Sequence, residues 1–147
     1  MKAFYAVPVL VLFLWSCKKE KASKTKTELL TTGSWHVTNY IVDPGIDWDG
    51  DGTEETNVYP VMEPCIKDDF STFHADGTGE INEGPTKCVS NGSQTIPFTW
   101  AFLEDEKRLQ VQGVIYLLDA LTETQLVVKE IEVVSTVTYT HTVTFSH

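Results

Sequence analysis

The chain has 147 residues and a formal net charge of −10 at neutral pH. This excess of carboxylates repels phosphate groups, which excludes nucleic acid as a partner and excludes adhesion of the folded body to anionic lipid. The length suits one domain that is large enough to bury a substantial hydrophobic core.

The first 16 residues are predicted to be a lipoprotein signal peptide. A short positive start precedes an almost wholly apolar run at 3–15, which is shorter than the about 20 residues of a transmembrane helix. Ser16-Cys17 resembles the end of a bacterial lipobox, so Cys17 is the predicted lipidation site and would carry acyl chains such as palmitate. These features predict a lipid anchor in the outer membrane, with the protein facing the periplasm or the cell surface. The alternative is an ordinary secretory signal with Cys17 as a spare thiol.

Residues 17–26 are predicted to form a flexible lipidated tether, because this lysine-rich stretch cannot bury a core face. Thr25 and Glu28 have the spacing of a capping box, which predicts one or two helical turns ending near Gly33. A strand is predicted from Gly33 to about Val42. Its alternation predicts two faces, one with Trp35, Val37, Asn39 and Ile41 and the other with His36, Thr38, Tyr40 and Val42.

An acidic loop at 43–57 contains the pattern Asp-x-Asp-x-Asp-Gly. Oxygen atoms at alternate positions, with glycine at a sharp turn, match the first half of a calcium-binding loop. The predicted ligands are Asp47, Asp49, Asp51, the carbonyl of Thr53, and Glu55. Val58 stands where such loops carry a bidentate glutamate, so the predicted affinity is weak. A solvated loop without a metal is the alternative.

Asp76-Gly77 lies between two runs that favour extended structure, which predicts a β-hairpin. Cys65 and Cys88 flank this hairpin and are predicted to form a disulfide at its base, because the signal sequence sends the chain to an oxidising compartment. Two unpaired thiols are the alternative. Phe70 and Phe73 break strict alternation, which predicts either a bulge or burial on both faces.

The rest of the chain reads as a series of short strands. They are predicted at 58–62, 96–103, 108–111, 114–119, 126–130 and 135–145. In the last strand, threonines alternate with Val137, Tyr139, His141, Val143 and Phe145, and the latter set is predicted to face inward. The sequence therefore predicts an all-β fold, an eight- to nine-stranded antiparallel up-and-down barrel with a short N-terminal helix. Closure would pair the last strand with the Trp35 strand.

Several of these motifs, in this order, resemble the lipocalin superfamily and, more closely, bacterial lipocalin-like lipoproteins. They are Leu29-Leu30-x-x-Gly33-x-Trp35, Cys65-x-x-Asp68-Asp69, Phe73-x-x-Asp76-Gly77-Thr78, Gly84, Cys88 and Trp100. The resemblance spans nearly the whole of the mature chain, and 27–147 is the predicted lipocalin-like barrel domain. It implies an antiparallel barrel around a ligand cavity, and it implies no catalytic residues.

The leading hypothesis for function is binding of a small hydrophobic ligand in the barrel or at its mouth, without enzymatic activity. The cavity candidates are Trp35, Phe98, Trp100, Phe102, Tyr139 and His141. A solidly packed interior is the alternative, since an eight-stranded barrel is just wide enough for either arrangement. The second hypothesis is a protein-interaction module of the cell envelope, such as a protease inhibitor or an adhesion or assembly subunit, with a packed barrel and a loop that calcium makes rigid.

Overall fold

The structure is a computed structural model that describes residues 23–147. The predicted signal peptide at 1–16, the lipidation site Cys17 and most of the tether at 17–26 lie outside the described residues. Within residues 23–147, no helix combines the length and the apolar character needed to cross a membrane.

The first described element is a short helix, α1, Lys26–Leu30. The hydroxyl oxygen of Thr25 accepts from the backbone N–H of Glu28 at 3.2 Å, and the Glu28 carboxylate accepts from the Thr25 N–H at 2.7 Å. These reciprocal bonds satisfy amide groups that the first turn leaves without helical partners. The predicted capping box is confirmed.

Nine antiparallel strands follow. They are β1 (Ser34–Ile46), β2 (Glu55–Asn57), β3 (Phe70–Phe73), β4 (Thr78–Asn82), β5 (Thr95–Leu103), β6 (Arg108–Val111), β7 (Val114–Leu121), β8 (Gln125–Val134) and β9 (Val137–Ser146). From β3 onward each strand pairs with the next, β1 pairs with β3, and β9 returns to pair with β1. Eight strands therefore close into a barrel, and β2 is an extra strand on β1. The predicted fold class and the closure by the last strand are confirmed.

The predicted faces of β1 are wrong beyond Val37. The register between β1 and β9 shifts between Val37 and Asn39, which is the mark of a β-bulge. One inserted residue moves every later side chain to the opposite face. Tyr40 and Val42 therefore share the inner face with Trp35 and Val37, and Val42 is fully buried.

The predicted hairpin is present as β3 and β4, joined by a turn in which Gly77 has a φ of 85°. Its paired residues run from Phe70 to Phe73 without a register shift, so the predicted bulge is wrong for this hairpin and burial on both faces is correct. Phe73 is buried inside the barrel, whereas Phe70 packs outside it against the ring of His36, with 5.4 Å between centroids.

The segment between β2 and β3 differs from the prediction. Residues 58–62 are not a strand, because Tyr59–Val61 forms a 3-10 helix with proline at its start, and a second short helix, α2, covers Pro64–Lys67. Pro60 has no N–H to donate to a strand ladder, which explains the difference. This segment packs Val58 and Met62 against Val42 as a second, smaller core. The sequence reading also missed β2.

The predicted disulfide between Cys65 and Cys88 is present, with 5.2 Å between the Cα atoms. It ties α2, which precedes the hairpin, to the loop that follows it. The main core lies within the barrel and is centred on Trp35, which is 1% exposed. Gly79 makes room for the Phe98 ring, since a Cβ at residue 79 would lie 2.4 Å from it.

Candidate ligand-binding cavity

The lumen of the barrel contains a partly open cavity of about 290 Å³. All eight strands of the closed barrel contribute side chains to its wall, and α2 and the residue before β3 complete it. The lining residues are Trp35, Val37, Ile66, Asp69, Ser71, Phe73, Ile81, Phe98, Leu109, Val111, Tyr116, Leu126, Val128, Val143 and Phe145. Most of these side chains are aliphatic or aromatic, so the wall is predominantly apolar. The interior is therefore not packed solid.

One carboxylate lies in this apolar wall. Asp69 directly precedes β3, and strand alternation places it on the inner face with Ser71 and Phe73, both of which also line the cavity. Its Oδ1 atom is buried, and no residue from 23 to 147 donates a hydrogen bond to it. Burial, followed by the nearby charges of Glu83 and Asp68, raises the pKa of Asp69 to about 6.

A second chamber of about 190 Å³ adjoins the first. The two chambers share four wall residues, Val37, Tyr116, Val128 and Val143. We call the first the larger chamber and the second the smaller chamber. The smaller chamber is more polar, since it adds Tyr40, Glu130 and His141 to the shared residues.

Hydrogen bonding fixes part of the smaller chamber. The Tyr40 hydroxyl lies 2.9 Å from His141 Nδ1. His141 Nε2 lies 3.5 Å from a carboxylate oxygen of Glu132, and it makes no hydrogen bond with any of the residues that the structure describes. Burial and the nearby charge of Glu130 raise the pKa values of Tyr40 and Tyr116. Both phenols therefore stay protonated at neutral pH.

Of the six cavity candidates proposed from sequence, three line a chamber and three do not. Trp35 and Phe98 line the larger chamber, and His141 lines the smaller one. Trp100, Phe102 and Tyr139 line neither. Trp100 is buried in the main core without lining either chamber, and its Nε1–H is directed at two carbonyl oxygens of the β3–β4 turn region, those of His74 at 3.0 Å and Thr78 at 2.9 Å. Phe102 packs edge-on against Trp100, with 5.4 Å between centroids. Tyr139 packs in the second core.

Apart from His141, sequence reasoning missed the ionisable residues of both chambers, Asp69 and Glu130. The signal that locates them is alternation: Asp69 continues the inward series of Ser71 and Phe73, and Glu130 continues that of Leu126 and Val128. In both cases a carboxylate occupies a position that faces the inside of the barrel.

The acidic loop brings together three of its five predicted calcium ligands. Carboxylate oxygens of Asp47, Asp49 and Glu55 lie within 4.8 Å of one another. Asp51 is outside this group, and its carboxylate accepts a hydrogen bond from the backbone N–H of Thr53 at 2.7 Å. Backbone amides also donate to the other carboxylates, for example from Gly50 to Asp47 at 2.8 Å.

Asp69 is expected to make stability depend on pH. In the unfolded chain its pKa takes the ordinary value of 3.8, whereas in the folded protein it is about 6. The folded state therefore binds the proton first, so this residue's destabilisation is full above pH 6 and disappears as the pH falls to about 4. Asp69→Asn is expected to raise the free energy of unfolding by about 1 to 2 kcal/mol at pH 7 and by much less at pH 4. Urea unfolding at both pH values measures this, with the exposed Asp105→Asn as a control; equal effects of Asp69→Asn at both would contradict it.

The fold and the cavity together define a class of protein, a closed antiparallel β-barrel with a chamber in its lumen. No protein-family model matches the sequence, and no curated protein matches it. Among solved structures, the chain is similar to the crystal structure at 1.00 Å resolution of a DUF4847 family protein from Bacteroides vulgatus. The sequences are 21% identical, the match covers 82% of this chain and 95% of that chain, and the TM-score is 0.45. Membership of the lipocalin superfamily stays a prediction.

Proposed function

We propose that the protein is a membrane-anchored, non-catalytic barrel that binds one small hydrophobic molecule in its lumen. The observation that carries this proposal is the cavity of about 290 Å³ to which all eight barrel strands contribute. Ligand pockets typically measure about 300 to 1,000 Å³, so the larger chamber suits a ligand at the small end of that range. The sequence supports the anchor, through Cys17, and with it a place at the outer membrane.

The wall of the larger chamber is suited to hydrophobic recognition. Buried side chains such as Leu109, Leu126 and Phe98 form much of it, and they belong to the main core of the barrel. Each Å² of apolar ligand surface that leaves water contributes about 25 cal/mol. Because the wall side chains are already held by the core, binding orders few additional groups, and this limits the entropic cost.

The proposal predicts binding of a neutral fluorescent probe, N-phenyl-1-naphthylamine, with a blue shift and an increase in its emission. Val143 lines both chambers, so Val143→Phe is expected to fill the lumen and weaken probe binding at least about tenfold. Fluorescence titration of the purified protein measures the affinity. The matched control is Val133→Phe, at a side chain that is 64% exposed, and it should leave the affinity unchanged. Equal affinity of both variants would place the probe outside the lumen and overturn the proposal.

A second candidate function, a protein-interaction module of the envelope, is favoured by the exposed apolar side chains around the β8–β9 turn. Large apolar surfaces exposed in this way often mark sites of protein contact. The residues are Ile131, Val133, Val134 and Val137, which are between 41% and 64% exposed. In this candidate the acidic loop, made rigid by calcium, would form part of the contact.

Calcium binding by the acidic loop stays a prediction. Asp47, Asp49 and Glu55 offer hard oxygen donors, and the loop lacks the bidentate glutamate of high-affinity sites, so we expect a Kd on the order of 0.1 to 1 mM. Calorimetric titration with calcium chloride is expected to show saturable heat that Asp49→Asn removes and Asp105→Asn preserves. The prediction fails if no heat appears at millimolar calcium, or if Asp49→Asn leaves the titration unchanged.

A further inference from the structure

We propose that the ligand of the larger chamber is a small apolar amine, whose protonated nitrogen pairs with Asp69 while its hydrocarbon part contacts the apolar wall. This inference rests on the proposed function, since it specifies the chemistry of the molecule that the lumen binds. It depends on three features of the site: unpartnered acceptors, the sign of the charge in the lumen, and the size of the chamber.

The first feature is a set of buried oxygen atoms that lack a donor. Asp69 Oδ1, Asp68 Oδ1 and Glu83 Oε2 are all buried, and none of them has a hydrogen-bond partner within the described residues 23–147. A carboxylate oxygen only accepts hydrogen bonds, and leaving such an atom buried and unpaired is costly. Asp69 is the one of these three residues that also lines the larger chamber, so we assign the contact with a ligand to its carboxylate. An ammonium group brings up to three donors.

The second feature is the sign of the charge. The part of the chain that the structure describes puts no lysine or arginine in the wall of either chamber, whereas Asp69 lies in the larger chamber and Glu130 in the smaller one. Among residues 23–147, the basic side chain in these walls is His141, which bonds to Tyr40, lies 3.5 Å from a carboxylate oxygen of Glu132 and pairs across the strands with Glu130. The carboxylate of a fatty acid would therefore be repelled by the negative charge of Asp69 in the larger chamber. A cation in the larger chamber gains a charge-assisted hydrogen bond with Asp69, which is about twice as strong as a neutral one.

The raised pKa of Asp69 arises from the same burial and the same excess of negative charge. Burial and two neighbouring carboxylates disfavour its ionised form, and a bound ammonium group reverses both effects by supplying positive charge and hydrogen bonds. At neutral pH the carboxyl group is ionised and available to pair with a cation. The third feature, a chamber of about 290 Å³, suits a small hydrocarbon part such as a short alkyl chain.

Three ligands that share one hydrocarbon chain test the inference: octylamine, octanol and octanoate, each titrated calorimetrically into the full-length protein. Octylamine is expected to bind at least about tenfold more tightly than octanol, and octanoate more weakly than octanol. Asp69→Asn keeps the shape of the side chain and removes its charge, and it should reduce octylamine affinity by about tenfold while leaving octanol within about twofold. Asp105→Asn, an exposed control, should change neither affinity.

The outcomes separate the two proposals. If octanol or octanoate binds as tightly as octylamine, or if Asp69→Asn keeps the octylamine affinity, the amine inference is overturned while luminal binding stands. If none of the three ligands binds, luminal binding itself is overturned. The Val143→Phe variant distinguishes binding in the lumen from adhesion of the amine to the acidic surface. Filling the lumen should abolish binding in the lumen and leave surface adhesion unchanged. Octylamine binding that survives Val143→Phe overturns the inference.

Discussion

Alanine in place of Trp35 is expected to lower the free energy of unfolding by about 3 to 5 kcal/mol. The indole is 1% exposed, and its Nε1–H donates to the carbonyl oxygen of Leu30 at 2.8 Å. Its ring also packs against His147, with 4.0 Å between centroids. Truncation to alanine therefore removes a large buried surface and leaves the Leu30 carbonyl oxygen without its donor. Both changes lower the free energy of unfolding. Urea unfolding followed by circular dichroism measures the effect.

Two further tryptophan variants are compared with Trp35→Ala. Trp48→Ala is the matched control, because its side chain is 38% exposed in the acidic loop and the expected loss is below about 1 kcal/mol. Trp35→Phe keeps an aromatic ring and removes the bond to Leu30, so its cost should fall between those of the two alanine variants. If Trp35→Ala and Trp48→Ala destabilise equally, the core is not centred where the structure places it.

Strand pattern and closure were predictable from sequence because they depend on local periodicity. In β9 the alternation of threonine with larger side chains leaves little choice but a strand, and an antiparallel barrel then needs its last strand to meet its first. The capping box of α1 and the turn at Asp76-Gly77 were equally readable, since each depends on residues within a few positions of one another.

Features that depend on distant contacts were not predictable. The bulge near Thr38 lies in a run that alternates normally, and it exists because β1 must pair with β9 while curving around the barrel. The apolar residues around Pro60 resemble a strand in composition, but they pack as a 3-10 helix against Val42. In both places packing within the closed barrel overrides the local pattern.

The candidate site was only partly predictable for a related reason. Trp35 and Phe98 were identified as inward-facing aromatic residues, but whether aromatic rings fill a lumen depends on volumes in three dimensions. Trp100 shows the difficulty, because it is buried in the main core inside the barrel and still lines neither chamber. Asp69 belongs to the motif Cys65-x-x-Asp68-Asp69, and adjacent strand residues face opposite ways, so the motif alone does not say which of its two carboxylates faces inward. The same rule, counted back from the buried Phe73, places the Asp69 carboxylate in the lumen.

Removing the disulfide with the double substitution Cys65→Ala and Cys88→Ala is expected to lower the free energy of unfolding by about 3 to 4 kcal/mol. The bond joins residues separated by 23 positions, and it restricts the unfolded chain more than the folded one. Alanine suits Cys65, which is 9% exposed and lies in α2. Urea unfolding of the variant measures the loss. Adding a reductant to the unaltered protein should produce a similar loss, and adding it to the double variant should produce none.

The disulfide is also expected to affect ligand binding through the segment that it holds. Cys65 is adjacent to Ile66 and four residues before Asp69, and both of these line the larger chamber. On the other side of the bond, the backbone N–H of Thr86 donates to the Asp68 carboxylate at 2.9 Å, which ties the loop before Cys88 to the residue beside Asp69. Without the bond, α2 is free to move relative to the barrel even where the strands stay folded. The double variant should therefore weaken binding of the luminal probe under conditions where circular dichroism still reports an intact barrel. Unchanged probe affinity in that folded variant would show that strand pairing alone positions the wall of the larger chamber.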